Sequence, residues 1–272
     1  MGTEVTAITA QGLKFSVGDD HVGVITLSRP ERKNPLTFEI YAQLTRLFKE
    51  LEYDDRVRAV VLKVEGGAFC SGGDVHEIIG PLFERDHKGL WDFTRMTCDL
   101  IENMRSLSKP IIASIDGIAA GAGSVMALAS DIRIAGEKGR FAFLFVKVGL
   151  CGADMGAAYL LPRVVGLGRA TELLMTGDVV RSEAAFQMGL INKIVPQDSV
   201  HEEAHAFAAR LAAGPSFALA MTKRSLNEEL GMDFRAALEA EARTQAMCME
   251  TTDFREAYEA FVEKRPAQFK GR

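Results

Sequence analysis

Residues 111–135 read IIASIDGIAAGAGSVMALASDIRIA, and this stretch decides the fold. The apolar run Ile111–Ile115 predicts a buried strand. A segment of small residues, Asp116 to Ser124, follows and opens a helix from about Gly123 to Ala129; a second strand is expected at Ile132–Ala135. Strand, glycine-rich turn, helix and strand again is α/β alternation, which implies a mostly parallel sheet.

The same order extends upstream. Ala59–Val64 is a second short apolar run, and a helix is expected across Trp91–Leu107. Between Thr37 and Leu51 the apolar positions Ile40, Leu44, Leu47, Phe48 and Leu51 fall on one helical face, with Thr37 as the start signal. Residues 13–28 alternate apolar and polar around Gly18-Asp19-Asp20, the pattern of a β-hairpin. From Ala153 onward the pattern is almost wholly helical, with one apolar interruption at Leu190–Val195. The expected division is an α/β body over residues 1–200 and a C-terminal helical region over 201–272.

With 272 residues, 47% hydrophobic and 25% charged, the chain suits one soluble body with a sizeable core. A net charge of −5 gives no general attraction for nucleic acid or an anionic membrane, so neither is expected as a partner, and a phosphate-bearing ligand would be caught locally. No stretch approaches the roughly 18 apolar residues of a membrane span, and MGTEVTAITAQG lacks a signal-peptide pattern; a cytoplasmic location is expected. Cys70, Cys98, Cys151 and Cys248 are far apart with no CxxC pair, so they are expected reduced and mostly buried.

Two segments can carry chemistry. Gly66-Gly67-Ala68-Phe69-Cys70-Ser71-Gly72-Gly73-Asp74 follows a strand, and its glycines suit backbone approach to a ligand. An equally simple reading is a tight turn with Asp74 capping the next helix. Asp116-Gly117-Ile118-Ala119-Ala120-Gly121-Ala122-Gly123-Ser124 could present helix N-terminal N–H groups to an anion or polarised carbonyl, or serve only close helix packing. Met126 stands where a dinucleotide fingerprint wants a third glycine or alanine.

Together the two segments resemble the enoyl-CoA hydratase/isomerase (crotonase) family. Phe69-Cys70-Ser71-Gly72-Gly73-Asp74-Val75 and Gly117-Ile118-Ala119-Ala120-Gly121-Ala122-Gly123 are similar to its two glycine-rich elements. Arg29-Pro30 with Lys33-Asn34-Pro35-Leu36, Ser130-Asp131-Ile132-Arg133, Gly149-Leu150 through Leu161-Pro162-Arg163, and Phe261-Val262-Glu263-Lys264-Arg265 extend the likeness over essentially the whole chain.

The resemblance implies a spiral of ββα units with a C-terminal helical trimerisation region, giving a homotrimer or dimer of trimers. It implies an acyl-CoA substrate, no metal and no cofactor, coenzyme A being part of the substrate. The backbone N–H groups of Gly73 and Ala122 would form an oxyanion hole for the thioester oxygen. Ala122 replaces the family's usual glycine, but the donor is the backbone and survives. Coenzyme A and acyl chain would meet Lys33, Asn34, Leu36, Ser71, Gly73, Asp74, Val75, His76, Ala122, Phe261 and Lys264.

The family's hydratases also use two glutamates, and by motif these fall on Val125 and on or near Phe145, which cannot move a proton. Asp154 is the one acid left, similar in place to the aspartate of dienoyl-CoA isomerases and ring-opening isomerases, though one residue further from Gly149. It is the expected acid/base; a helix N-cap is the plainer role. A non-catalytic acyl-CoA binder and an aspartate-nucleophile hydrolase or dehalogenase are the alternatives.

His201-Glu202-Glu203-Ala204-His205 fits the HExxH zinc pattern, but it sits in a charged first turn with Asp198-Ser199 before it as a helix cap. Trp91, Phe93 and Met96 suit either an acyl pocket or the core.

Overall fold

A computed structural model describes residues 7–271; residues 1–6, part of the N-terminal segment read above, lie outside the described residues. The chain opens with the expected hairpin, β1 (Leu13–Val17) against β2 (Val22–Leu27), then α1 (Phe38–Glu50) and β3 (Ala59–Val64). Thr37 caps α1 by accepting the Ile40 N–H at 3.2 Å. After a short turn α2 (Gly80–Leu82), α3 spans His87–Ser106. It begins before Trp91 because Asp86 caps it, accepting from the Gly89 N–H.

Next come β4 (Ile111–Ile115), β5 (Ile118–Ala120), α4 (Ala122–Ala129), β6 (Ile132–Gly136), β7 (Arg140–Ala142), α5 (Ala157–Val165) and α6 (Leu167–Thr176). The two-residue β8 (Val180–Arg181), α7 (Ser182–Gln187) and β9 (Lys193–Val195) complete the strands, and α8 (Val200–Ala212), α9 (Ser216–Glu228), α10 (Phe234–Met249) and α11 (Thr252–Glu263) follow.

The larger sheet has the order β1-β2-β3-β4-β6-β9 and is parallel throughout except for the hairpin. A second sheet, β5-β7-β8, is extended by bridges from Ala68 to Gly117 and from Cys70 to Ala119. Successive chain segments thus place one strand in each sheet before turning into helix: β3 with residues 68–70, β4 with β5, β6 with β7. This is the spiral of ββα units that the sequence likeness implies.

Strand periodicity explains why the large sheet is buried on both faces. Val60, Leu62, Ile111, Ala113 and Ile115 face the main core with α1, α3 and α4. Val22, Ala59, Val61, Ile112 and Ile134 face the other way, where Val200, Ala204, Ala208 and Ala212 of α8 cover them. By packing, therefore, the α/β body runs on through Ala212, beyond residue 200. The four-residue spacing and small side chains of α8 bring it close to the sheet, a tertiary fact that its charged sequence concealed.

Ser199 occupies the N-cap position of α8, but neither its side chain nor that of Asp198 makes a capping hydrogen bond. Gln197–Ser199 form a 3-10 turn, and the Ser199 hydroxyl donates to the Pro196 carbonyl. Of the cysteines only Cys70 is buried; Cys98 and Cys248 are half-buried and Cys151 is exposed. Trp91 is exposed rather than in the core, while Phe93 and Met96 pack partly against it. The terminal helices differ from the rest. No described residue of α10 is buried, and Phe234, Leu238, Tyr258 and Phe261 stand exposed. No described helix is long and apolar enough to cross a membrane.

Candidate active site

The two glycine-rich segments meet. Cys70 donates its N–H to Ile118 and accepts from Ala120, fastening the 68–74 turn along β5. Gly123 lies so close beneath that an added Cβ would stand 2.5 Å from the Cys70 carbonyl oxygen. Both readings of this segment hold at once: close packing is what brings α4's first turn to the site. Gly123→Ala is expected to destabilise the fold by about 1–3 kcal/mol, since overpacking here must move backbone; an unaltered thermal melt would refute that account.

Gly72 adopts φ +97°, a left-handed conformation that turns the next peptide outward, and a Cβ on it would lie 3.7 Å from the Ala122 nitrogen. On its other side Leu36 donates to the Gly72 carbonyl and accepts from Asp74 N–H, both at 2.8 Å. These bonds bracket Gly73 and leave its own N–H without a protein acceptor among the described residues. The Ala122 N–H, first in α4, is free for the general reason that a helix's first turn has no partner upstream. Two neighbouring, unpartnered N–H donors on a rigid frame suit an oxygen that gains negative charge.

The remaining residues expected to bind have distinct environments. Asn34 is buried, and its amide donates to the Glu65 and Ala68 carbonyls at 2.9 and 2.7 Å while accepting from Arg29 N–H. It has no donor left for a ligand. It holds the left-handed pair Lys33 and Asn34 (φ +64° and +53°) that leaves the Lys33 side chain exposed. Leu36 is fully buried and contributes through its backbone.

Asp74 is buried and caps the following turn, its Oδ1 accepting from the N–H groups of His76 and Glu77 at 2.9 and 3.0 Å. Arg32 donates to the same oxygen, and Arg29 lies 3.6 Å from Oδ2. Burial alone would raise its pKa, but the Glu77 and His76 N–H groups and the two guanidiniums prevail and hold the carboxyl below the usual range. Its side chain is thus engaged by the protein. Ser71 is half-buried, and Val75 and His76 are exposed beside it. Phe261 and Lys264 are exposed at the end of α11, and no hydrogen bond or ion pair among the described residues joins them to the Lys33 or Ser71–His76 segments.

Val125 and Phe145 are both buried, and the Phe145 ring lies 3.9 Å from where a Gly121 Cβ would be. An apolar wall occupies both positions. Asp154 is half-buried. Burial raises its pKa, opposed by the neighbouring Met155 N–H. It does not cap α5, whose N-cap is Gly156 with no side-chain bond; only its carbonyl reaches Ala157 N–H. The backbone turns sharply here, with Met155 at φ +49°, an unfavourable conformation for a non-glycine residue. A groove of about 920 Å³ between α3, α5 and α9 begins at Met155, Gly156 and Cys98.

Tyr41 lies on the buried face of α1, and burial, then the Cys70 and Asp154 groups, push its phenol's pKa well above the ordinary value. His201 and His205 do not converge. His201 Nδ1 pairs with Ser114 Oγ and His205 Nε2 with Asp20, each at 2.7 Å.

An α/β spiral of ββα units with two free backbone N–H groups where its glycine-rich segments meet defines the class of protein. Comparison with known proteins identifies the family within it. The model of the enoyl-CoA hydratase/isomerase family matches residues 18–272, and the chain belongs to this family and is an enzyme of it. It is similar to 1,2-epoxyphenylacetyl-CoA isomerase of Escherichia coli (strain K12), 34% identical over 92% of this chain and 95% of that one. A Streptomyces coelicolor A3(2) protein solved as a candidate enoyl-CoA hydratase superposes with a TM-score of 0.95 at 50% identity, covering 99% of this chain and 98% of that one. An enoyl-CoA hydratase of Bacillus anthracis is similar with a TM-score of 0.90 at 28% identity over 96% and 100% of the two chains.

Proposed function

We propose that this enzyme binds an acyl-CoA, stabilises the thioester enolate with the Gly73 and Ala122 N–H groups, and moves a proton along the acyl chain with Asp154. The observation that carries the reading is the pairing of two free donors with a single acid while Val125 and Phe145 close the glutamate positions. Removal of the α proton puts charge on the thioester oxygen, where the two donors are aimed. The ionised Asp154 takes that α proton, and the acid so formed returns it to a remote carbon, leaving the carboxylate as it began; in the reverse sense the same group carries the proton back. With one carboxylate and an apolar wall opposite it, no second base activates water.

Lys33 supplies a point charge for a phosphate of the carrier, and Ser71, Val75 and His76 line its path. Phe261 and Lys264 reach a carrier most simply in an assembly, where the exposed apolar side chains of α10 and α11 are buried between copies of a trimer or dimer of trimers. No cofactor beyond the substrate's own coenzyme A takes part in these steps.

Enoyl-CoA substrates of several chain types, followed by mass spectrometry, test the reaction. An isobaric product is expected; a gain in mass of one water would replace isomerisation by hydration. Binding without turnover of any substrate would favour a non-catalytic acyl-CoA binder instead.

A further inference from the structure

Helix α11 ends on Lys264, whose backbone lies in the left-handed region at φ +55°. The Arg265 N–H closes the turn on the Ala260 carbonyl at 3.0 Å, an ending in which glycine is the usual left-handed residue. A lysine there needs support from elsewhere, because its own exposed side chain makes no hydrogen bond or ion pair among the described residues. The support comes from the residues after it.

Pro266 cannot continue the helix, and the tail runs back along one face of α11. Arg265 holds Glu256 with a two-pronged fork, Nη1 donating to Oε1 at 2.6 Å and Nη2 to Oε2 at 3.0 Å, while its Nε donates to Glu263 at 2.6 Å. Glu256 Oε1 also accepts the Gln268 N–H at 2.7 Å. One turn earlier Asp253, 4% exposed, accepts the Lys270 and Gly271 N–H groups on its two oxygens, each at 2.7 Å. Arg265, then the Gln268 N–H, bring the Glu256 carboxyl down to about 2, so the fork stays charged at neutral pH. Single exposed ion pairs contribute little to stability. A bidentate pair backed by main-chain bonds fixes geometry, and the geometry it fixes is that of Lys264.

We propose that Glu256 is a positioning residue for recognition of the carrier: by folding Arg265 back on α11 it holds Lys264 left-handed, with its ammonium directed at a phosphate of the coenzyme. The inference rests on the acyl-CoA reading above, in which Lys264 reaches the carrier within the assembly. Glu256 itself touches no ligand and acts only through Arg265 and Lys264.

Titration calorimetry with butyryl-CoA on the wild type, Lys264→Ala, Glu256→Gln and the double variant tests it. Each single substitution is expected to weaken binding roughly tenfold, the scale of one charge-assisted hydrogen bond. The double variant should bind no more weakly than Lys264→Ala alone. A role confined to holding the tail would instead add its loss to that of Lys264. The thermal melt and the elution volume on size exclusion should show the variants folded and assembled as the wild type is. If Glu256→Gln fails to fold, Arg265→Lys, which keeps the charge but cannot form the fork, takes its place. Full affinity in Glu256→Gln, additive losses in the double variant, or a loss of affinity that follows a smaller assembly overturns the inference and leaves acyl-CoA binding intact. Full affinity in Lys264→Ala removes the phosphate contact and the inference with it. Failure of butyryl-CoA to bind the wild type overturns the acyl-CoA reading itself.

Discussion

Asp154→Asn is expected to lower kcat by about 10²–10⁴-fold, the usual contribution of a positioned acid or base, and at the same time to raise the melting temperature at neutral pH. The second effect follows from burial, which disfavours the charged carboxylate and raises its pKa in the folded state, with the Met155 N–H opposing. A raised folded pKa means that the native state holds the proton more tightly than the unfolded chain. Stability from this group is fully present below the unfolded aspartate value of about 3.9 and is lost as pH rises through the folded value. At neutral pH the ionised side chain therefore destabilises, and asparagine relieves it.

The stability difference between mutant and wild type should shrink as pH falls below the ordinary aspartate range. A helix cap would behave in the opposite sense, since its loss lowers stability by about 0.5–2 kcal/mol. Melting curves across pH, read beside turnover, separate the two roles. An Asp154→Asn protein with wild-type turnover would end the assignment of Asp154 as the acid/base. Gain of stability with loss of activity is the pattern of a group held against its own preference at an active site.

Ala122→Pro should reduce kcat by about 10²–10³-fold, the consequence of removing one oxyanion donor, while the protein keeps its fold. Ala122 is the first residue of α4, a position where proline is well tolerated because its missing N–H has no helical partner. Proline thus deletes the donor and spares the helix. Measuring kcat at saturating substrate, with the melt as a control, checks this. Full activity in a folded Ala122→Pro protein would exclude the Ala122 N–H as a donor to the reacting oxygen.

Local pattern made much of this legible. Val60 and Leu62 alternate with Ala59 and Val61, so both faces of β3 are apolar, and a buried strand follows from period alone. Helix α1 was equally readable because Ile40, Leu44 and Leu47 share a face and Thr37 supplies its cap. The glycines of both segments were visible, and so was the absence of acids at Val125 and Phe145.

Asn34 shows where such reading stops. An exposed asparagine and a buried one have the same letter, and only the approach of the Glu65 and Ala68 carbonyls decides that its amide serves the loop. Likewise Asp198 and Ser199 have the composition of a cap, yet a 3-10 turn occupies them. Helix α8 belongs to the body because its alanine stripe meets Val61 and Ile112, residues remote in the chain.

The sequence by itself determined the order of strands and helices, the two glycine-rich turns and the survival of one acid, because these depend on residue type and short-range periodicity. Tertiary structure decided which donors are free. Gly73 has an unpartnered N–H because Leu36 takes the groups on either side of it, and the Asn34 amide is used up because the Glu65 and Ala68 carbonyls reach it. Both are contacts between distant parts of the chain. No local pattern encodes them.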